Sequence, residues 1–167
     1  SLHCAMSKAW CISNPLSKTQ AMILEVHTAK EITSHDLDEL ASRYTAIYIG
    51  RKSSEVWNTI AIDDESVDAF QCHLIGCAGG PWRLNDGQNR TDCPKGLKSD
   101  KLVPCNGCEG PCVGGRPKFA TRLPQSPTLI NGQPIAKYGT MLQEGDEVQV
   151  GKISIIVKVI GQKKDAS

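Results

Sequence analysis

The sequence predicts an all-β, antiparallel sandwich, and three observations carry that prediction. Short segments of β-branched, aliphatic and aromatic residues alternate with polar ones at a period of two. Gly, Pro, Asn and Asp separate these segments at about 8–12-residue spacing, the rhythm of a sandwich. No internal repeat and no heptad competes with that pattern. The chain has 167 residues, 40% of them hydrophobic, which suffices for a packed core. No apolar run approaches the ~20 residues that a membrane-spanning helix needs, which predicts a soluble chain.

Residues 1–20 carry Ser, Asn and Pro turn formers without periodicity and read as an N-terminal extension, ordered where Trp10 or its cysteines dock it. The chain begins with Ser, which predicts an excised fragment. From Ala21 the pattern changes, with Met22, Leu24 and Val26 alternating against Ile23, Glu25 and His27 as in a strand with one polar face. Ser34 is the expected cap of a short helix carrying Leu37, Leu40 and Ala41 on one side. Tyr44–Ile49 is a strand by its β-branched and aromatic content, stopped at Gly50-Arg51. Thr59–Ile62 and Phe70–Ile75 follow, with the acidic turn Asp63-Asp64-Glu65 between them. Gly79-Gly80-Pro81 then turns the chain into Trp82-Arg83-Leu84. Residues 86–127 break the rhythm. Strands resume at Thr128–Ile130, Thr140–Leu142, Glu147–Val150 and Ile153–Ile160, with turn chemistry at Asn131-Gly132 and Glu144-Gly145-Asp146.

The punctuation between these strands resembles the forkhead-associated (FHA) domain. Gly50-Arg51 matches that family's Gly-Arg, and Asn58-Thr59-Ile60-Ala61-Ile62-Asp63 matches the first six positions of its Asn-x-Ile-x-Ile-x-Asp. Trp82-Arg83-Leu84-Asn85-Asp86 is similar to its Trp-x-Leu-x-Asp, and Gln88, Asn89, Arg90 and Thr91 occupy the ground of Ser-x-Asn-Gly-Thr. Leu129-Ile130-Asn131-Gly132 and the run from Leu142 to Gly151 resemble the family's closing motifs. The resemblance implies an FHA-like β-sandwich over residues 21–161, with a C-terminal tail at 162–167. It also implies a phosphothreonine-peptide site built from loops at one end. Arg51 falls on the family's phosphate-binding arginine and Asn89 on the asparagine that holds the peptide backbone, with Thr91 beside it.

The departures fall on the phosphate site itself. Val67–Cys72 lies on the family's Val-Ser-Arg-x-His stretch, so the phosphate-binding serine becomes Asp68, its basic neighbour Ala69 and the structural histidine Gln71. A carboxylate within about 4–6 Å of a phosphate repels it, and a hydroxyl donor is lost. The resemblance therefore implies altered phosphothreonine recognition. Ser66 or His73, each two positions off the alignment, are the alternatives for the missing serine and histidine. Two plainer fates stand beside a phosphate-binding role for Arg51: a salt bridge to the Asp63–Glu65 turn, or a pair with Asp68.

Eight cysteines are present. Four of them stand in an insertion over residues 92–127, spaced Cys93-x11-Cys105-x2-Cys108-x3-Cys112. A Cys-x2-Cys loop lets two thiolates reach one tetrahedral ion, and Gly107 and Gly110 let the backbone wrap close to sulfur. Four thiolates meet the preference of a closed structural zinc site, and metal binding would order a loop that has no apolar core. Disulfides, or an iron–sulfur cluster, are the other readings of the same four residues. Cys72 falls on a core-facing strand position and reads as a buried free thiol. His73, Cys77, His3, Cys4 and Cys11 are candidates for a second metal site, or are structural. Reduced thiols and the family resemblance predict an intracellular, nuclear or cytoplasmic protein.

Charge and motif content bound the function. Lys and Arg number 19 against 18 Asp and Glu, a formal net charge of +1, which removes any global attraction to nucleic acid or anionic membrane. The balance conceals a basic segment. Lys95, Lys98, Lys101, Arg116, Lys118 and Arg122 face Asp100 and Glu109 across residues 93–122, a local excess of +4. Nucleic-acid binding through the insertion is thus the alternative function, and a dimerisation domain a third. The sequence holds no Gly-rich phosphate loop, no His-Glu-x-x-His and no nucleophile–base pair, and His27 and His35 read as exposed strand and loop residues. The expectation is a non-catalytic protein-interaction module that binds a protein or phosphopeptide.

Overall fold

A computed structural model describes residues 20–44, 46–54, 56–76, 78–91 and 119–161, with 89–91 and 119–121 described by backbone alone. Residues 1–19, the tail at 162–167 and residues 92–118 lie outside that description, and with them every insertion cysteine, His3, Cys4 and Cys11; Cys77 lies outside as well.

The strands are β1 (Gln20–His27), β2 (Ile32–Asp36), β3 (Ala46–Arg51), β4 (Ile60–Ile62), β5 (Cys72–Ile75), β6 (Arg83–Asp86) and β7 (Gln88–Thr91). They continue as β8 (Phe119–Arg122), β9 (Leu129–Ile130), β10 (Gln133–Pro134), β11 (Thr140–Met141), β12 (Glu147–Val150) and β13 (Ile153–Gly161). One short helix, α1 (Leu37–Arg43), follows β2. Two sheets form, in the orders β10-β9-β12-β13-β1-β2 and β11-β6-β5-β3-β4, and β7 and β8 make a separate hairpin. The all-β prediction holds, with one qualification. β3 and β4 run parallel, pairing Ile49 with Ile60, whereas the other described ladders are antiparallel.

The core follows the period-two pattern. Met22, Leu24 and Val26 of β1 point inward with Ile155 and Val157 of β13, while Ile47, Ile49, Leu74 and Leu84 meet them from the second sheet. Trp82 fills the space beside Leu84 and is only 1% exposed. Burying such side chains contributes about 1.5–3 kcal/mol each for the aliphatic ones, which holds the sheets in fixed register.

Three features depart from expectation for physical reasons. The helix cap is Asp36, not Ser34: Asp36 Oδ1 accepts hydrogen bonds from the Asp38 and Glu39 N–H groups at 2.8 and 3.2 Å. Ser34 lies inside β2 opposite Glu25, two residues too early, whereas Asp36 is the last residue of β2 and directly precedes the helix. The strand expected at Phe70 starts at Cys72, because Asp68 Oδ1 accepts from the Phe70 N–H at 2.8 Å and holds a turn there. Finally, the stretch 86–127 contains two strands. Thr91 and Phe119 are register partners, so residues 92–118 leave and re-enter at the same end of the β7–β8 hairpin.

Candidate functional site

Gly50 and Arg51 end β3 at the mouth of the sandwich, and close packing explains the glycine. A Cβ on Gly50 would stand 2.4 Å from the Ala69 carbonyl oxygen and 2.7 Å from Asn58 Nδ2. Arg51 is fixed by its backbone on both sides: its N–H donates to the Asp68 carbonyl at 3.0 Å, and its carbonyl accepts from Asn58 Nδ2 at 3.3 Å. The Arg51 side chain is exposed, and its guanidinium has no ion pair among the described residues.

Both plainer fates expected for Arg51 are therefore corrected. Asp63 pairs instead with Lys30 at 2.9 Å, and this contact holds the Asp63 carboxyl below the usual carboxylate range. Asp64 accepts from the Ser66 hydroxyl and N–H at 2.5 and 2.8 Å, which lowers its pKa likewise. Ser66 is thereby engaged, because its oxygen also accepts from the Lys152 N–H at 2.8 Å. Asp68 spends its carboxylate on backbone: Oδ1 on Phe70 N–H at 2.8 Å and Oδ2 on Gln125 N–H at 3.3 Å.

Under this mouth lies a buried polar layer. Gln88, fully buried, donates through Nε2 to Asn58 Oδ1 at 2.7 Å, the Ile49 carbonyl at 3.0 Å and the Cys72 carbonyl at 3.2 Å. Gln71, also fully buried, donates to Thr128 Oγ1 at 2.9 Å and the Ser126 carbonyl at 3.1 Å, and accepts from the Asp68 N–H at 3.1 Å. Asp86 takes the Thr128 N–H at 3.2 Å, and His73 Nδ1 lies 2.7 Å from the Gly87 carbonyl, which makes it the donor. Buried polar groups persist only where such partners exist, so the layer fixes the mouth loops against the sheet.

The sequence-based candidates are thus partly assembled. Arg51 and Asp68 stand at one end, joined through backbone, and Gln88 ties the start of β7 to the Arg51 loop through Asn58. Asn89 and Thr91 lie on the backbone of β7, with side chains outside the described residues. The proposed metal ligands Cys93, Cys105, Cys108 and Cys112 lie outside the described residues too. Cys72 is a fully buried free thiol, as expected, and burial pushes its pKa up. His35 corrects an expectation: it lies on β2, half-buried in a cleft of about 140 Å³ that Lys30, Lys52, Ile60 and Asp63 also line.

Sequence reasoning missed Gln88, Asn58 and Thr128 as the parts that hold the site together. A glutamine beside the Asp86-Gly87 turn carries no signal of burial by itself. Gly87 takes a φ of +69°, which glycine adopts without strain, and a Cβ there would strike the Arg122 carbonyl.

No family model matches the chain, and no curated protein matches it. Solved structures do. The FHA domain of a Chlamydia trachomatis protein superposes with a TM-score of 0.51 at 12% identity, over 83% of this chain and 96% of that one. Full-length yeast Pml1p gives 0.51 at 14% identity, covering 84% and 83% of the two chains. A Synechocystis sp. protein gives 0.50 at 20% identity, over 86% and 99%. At these identities the likeness concerns architecture, and the fold is an FHA-like β-sandwich.

Proposed function

We propose that the chain is a non-catalytic protein-interaction module of FHA type. It takes an extended peptide at the end where Arg51, Asp68 and the β7 residues Asn89 and Thr91 lie. The observation that carries this reading is the exposed Arg51 guanidinium, without an ion pair among the described residues, on a backbone pinned by Asp68 and Asn58. A guanidinium in a fixed position suits bidentate contact with phosphate or carboxylate. Asp68 sets the preference. Its carboxylate stands where the FHA resemblance places a serine hydroxyl, so a dianionic phosphothreonine meets repulsion and lacks one donor. The module accordingly binds peptide with a weak dependence on phosphate.

The insertion cysteines Cys93, Cys105, Cys108 and Cys112 would hold one structural zinc ion, which supplies folding energy and no reaction chemistry. The pairing of Thr91 with Phe119 supports this reading, because the cysteine segment is a closed excursion whose ends already meet.

The test is a titration of matched threonine and phosphothreonine peptide pools into the full chain, followed by backbone amide shifts. Changes centred on residues 50–54 and 68–71, lost in Arg51→Ala, are expected. Shifts confined to the outer face of the β1–β13 sheet would overturn the reading. Shifts produced only by oligonucleotide, steeply weakened by salt, would instead favour nucleic-acid binding by the insertion.

A further inference from the structure

The segment returning from the insertion is latched to the loop that carries Asp68. The Arg122 guanidinium lies 5.5 Å over the Phe70 ring. Gln125 N–H donates to Asp68 Oδ2 at 3.3 Å, and Gln71 Nε2 donates to the Ser126 carbonyl at 3.1 Å and to Thr128 Oγ1 at 2.9 Å. Every side chain in the loop at 68, 70 and 71 is thus turned to this one segment. Within it, Ser126 is exposed and stands in the sequence Pro124-Gln125-Ser126-Pro127. The chain has nine prolines, and Pro127 alone among them follows a serine or threonine.

We infer that Ser126 is a phosphoacceptor for a proline-directed Ser/Thr kinase, and that its phosphate unlatches residues 122–128 from the 68–71 loop. Pro127 has no N–H and biases Ser126 toward an extended backbone, the form in which a kinase cleft takes its substrate. In the transfer, Ser126 Oγ forms a bond to the γ-phosphorus of ATP, and the bond from that phosphorus to the bridging oxygen of ADP breaks. The hydroxyl proton passes to the kinase's catalytic base, and ADP leaves.

The product carries about −1.5 to −2 of charge. It arrives one residue from Gln125, whose N–H is held by the Asp68 carboxylate. Like charges so placed repel, and the latch is made of hydrogen bonds that are modest individually. This inference is independent of what peptide the Arg51 end binds.

The test treats the full chain with a proline-directed kinase and ATP, then measures mass and amide hydrogen exchange. One phosphate on Ser126 is expected, absent in Ser126→Ala and Pro127→Ala. Exchange over residues 122–128 and 68–71 should then accelerate about tenfold, an effect of charge at close range. Asp68→Asn should still be phosphorylated, with a smaller acceleration. No incorporation, while a control Pro-x-Ser-Pro peptide is phosphorylated, would overturn the assignment. Incorporation at Ser126 with unchanged or slower exchange would overturn the unlatching.

Discussion

Gln88 donates its carboxamide to Asn58 across 2.7 Å inside the sandwich, and Asn58 in turn donates to the carbonyls of Arg51 and Ala69. One buried pair thereby ties β7, the Arg51 loop and the Asp68 loop into a single unit. The loops around Arg51 and Asp68 are held to one another and to β7 through this pair.

Gln88→Leu leaves the Ile49 and Cys72 carbonyls and Asn58 Oδ1 without that donor. The expected cost is about 1–3 kcal/mol, read from urea unfolding. Asn58→Ala should cost a similar amount, and the double variant should fall short of the sum by about 0.5–3 kcal/mol.

Gly50→Ala forces a methyl group against the Ala69 carbonyl and Asn58. Overpacking of this kind costs about 1–3 kcal/mol, so the melting temperature should drop and peptide binding at Arg51 should weaken with it. A neutral Gly50→Ala would contradict the close approach.

How much of this was legible beforehand divides along the core. Met22, Leu24 and Val26, or Ile153, Ile155 and Val157, face one way and are read directly from alternation. β2 and β7 are polar edge elements whose pairing depends on tertiary partners, so period-two patterning says little about them. At the site, Arg51 and Asp68 stood out through their places in the family pattern. Gln71 also stood out, as the replacement for a histidine, but its bonds to Ser126 and Thr128 span more than fifty residues and leave no local trace. The shift of the cap from Ser34 to Asp36 is the same lesson at short range, since both residues are good caps and the point where β2 ends decides.

Burial holds the His35 imidazole below its ordinary pKa. Its neutral form is the one the fold favours, so this contribution is fully present above pH ~6.5 and is lost as pH falls through the lowered folded value. Stability measured by urea unfolding should therefore decline on acidification below that point, and His35→Gln should flatten the decline. An unaltered profile in His35→Gln would place the acid sensitivity elsewhere.

Cys72 and the insertion cysteines should separate chemically. Thiolate is the reactive form, and burial raises the Cys72 pKa, so Cys72 should resist alkylation until the chain unfolds. Mass spectrometry of the native protein should find one zinc ion per chain in the parent and in Cys72→Ser, lost on treatment with a chelator, and none in Cys105→Ser. Zinc retained by Cys105→Ser would remove that residue from the ligand set.

The most direct test compares one peptide, phosphorylated and unphosphorylated on threonine, against the parent chain, Asp68→Ser and Arg51→Ala by calorimetry. The parent should discriminate weakly between the two forms, Asp68→Ser should favour the phosphorylated form about tenfold more, and Arg51→Ala should lose binding of both. A parent that already binds phosphothreonine tightly and selectively, with Asp68→Ser leaving that preference unchanged, would contradict the role assigned to Asp68.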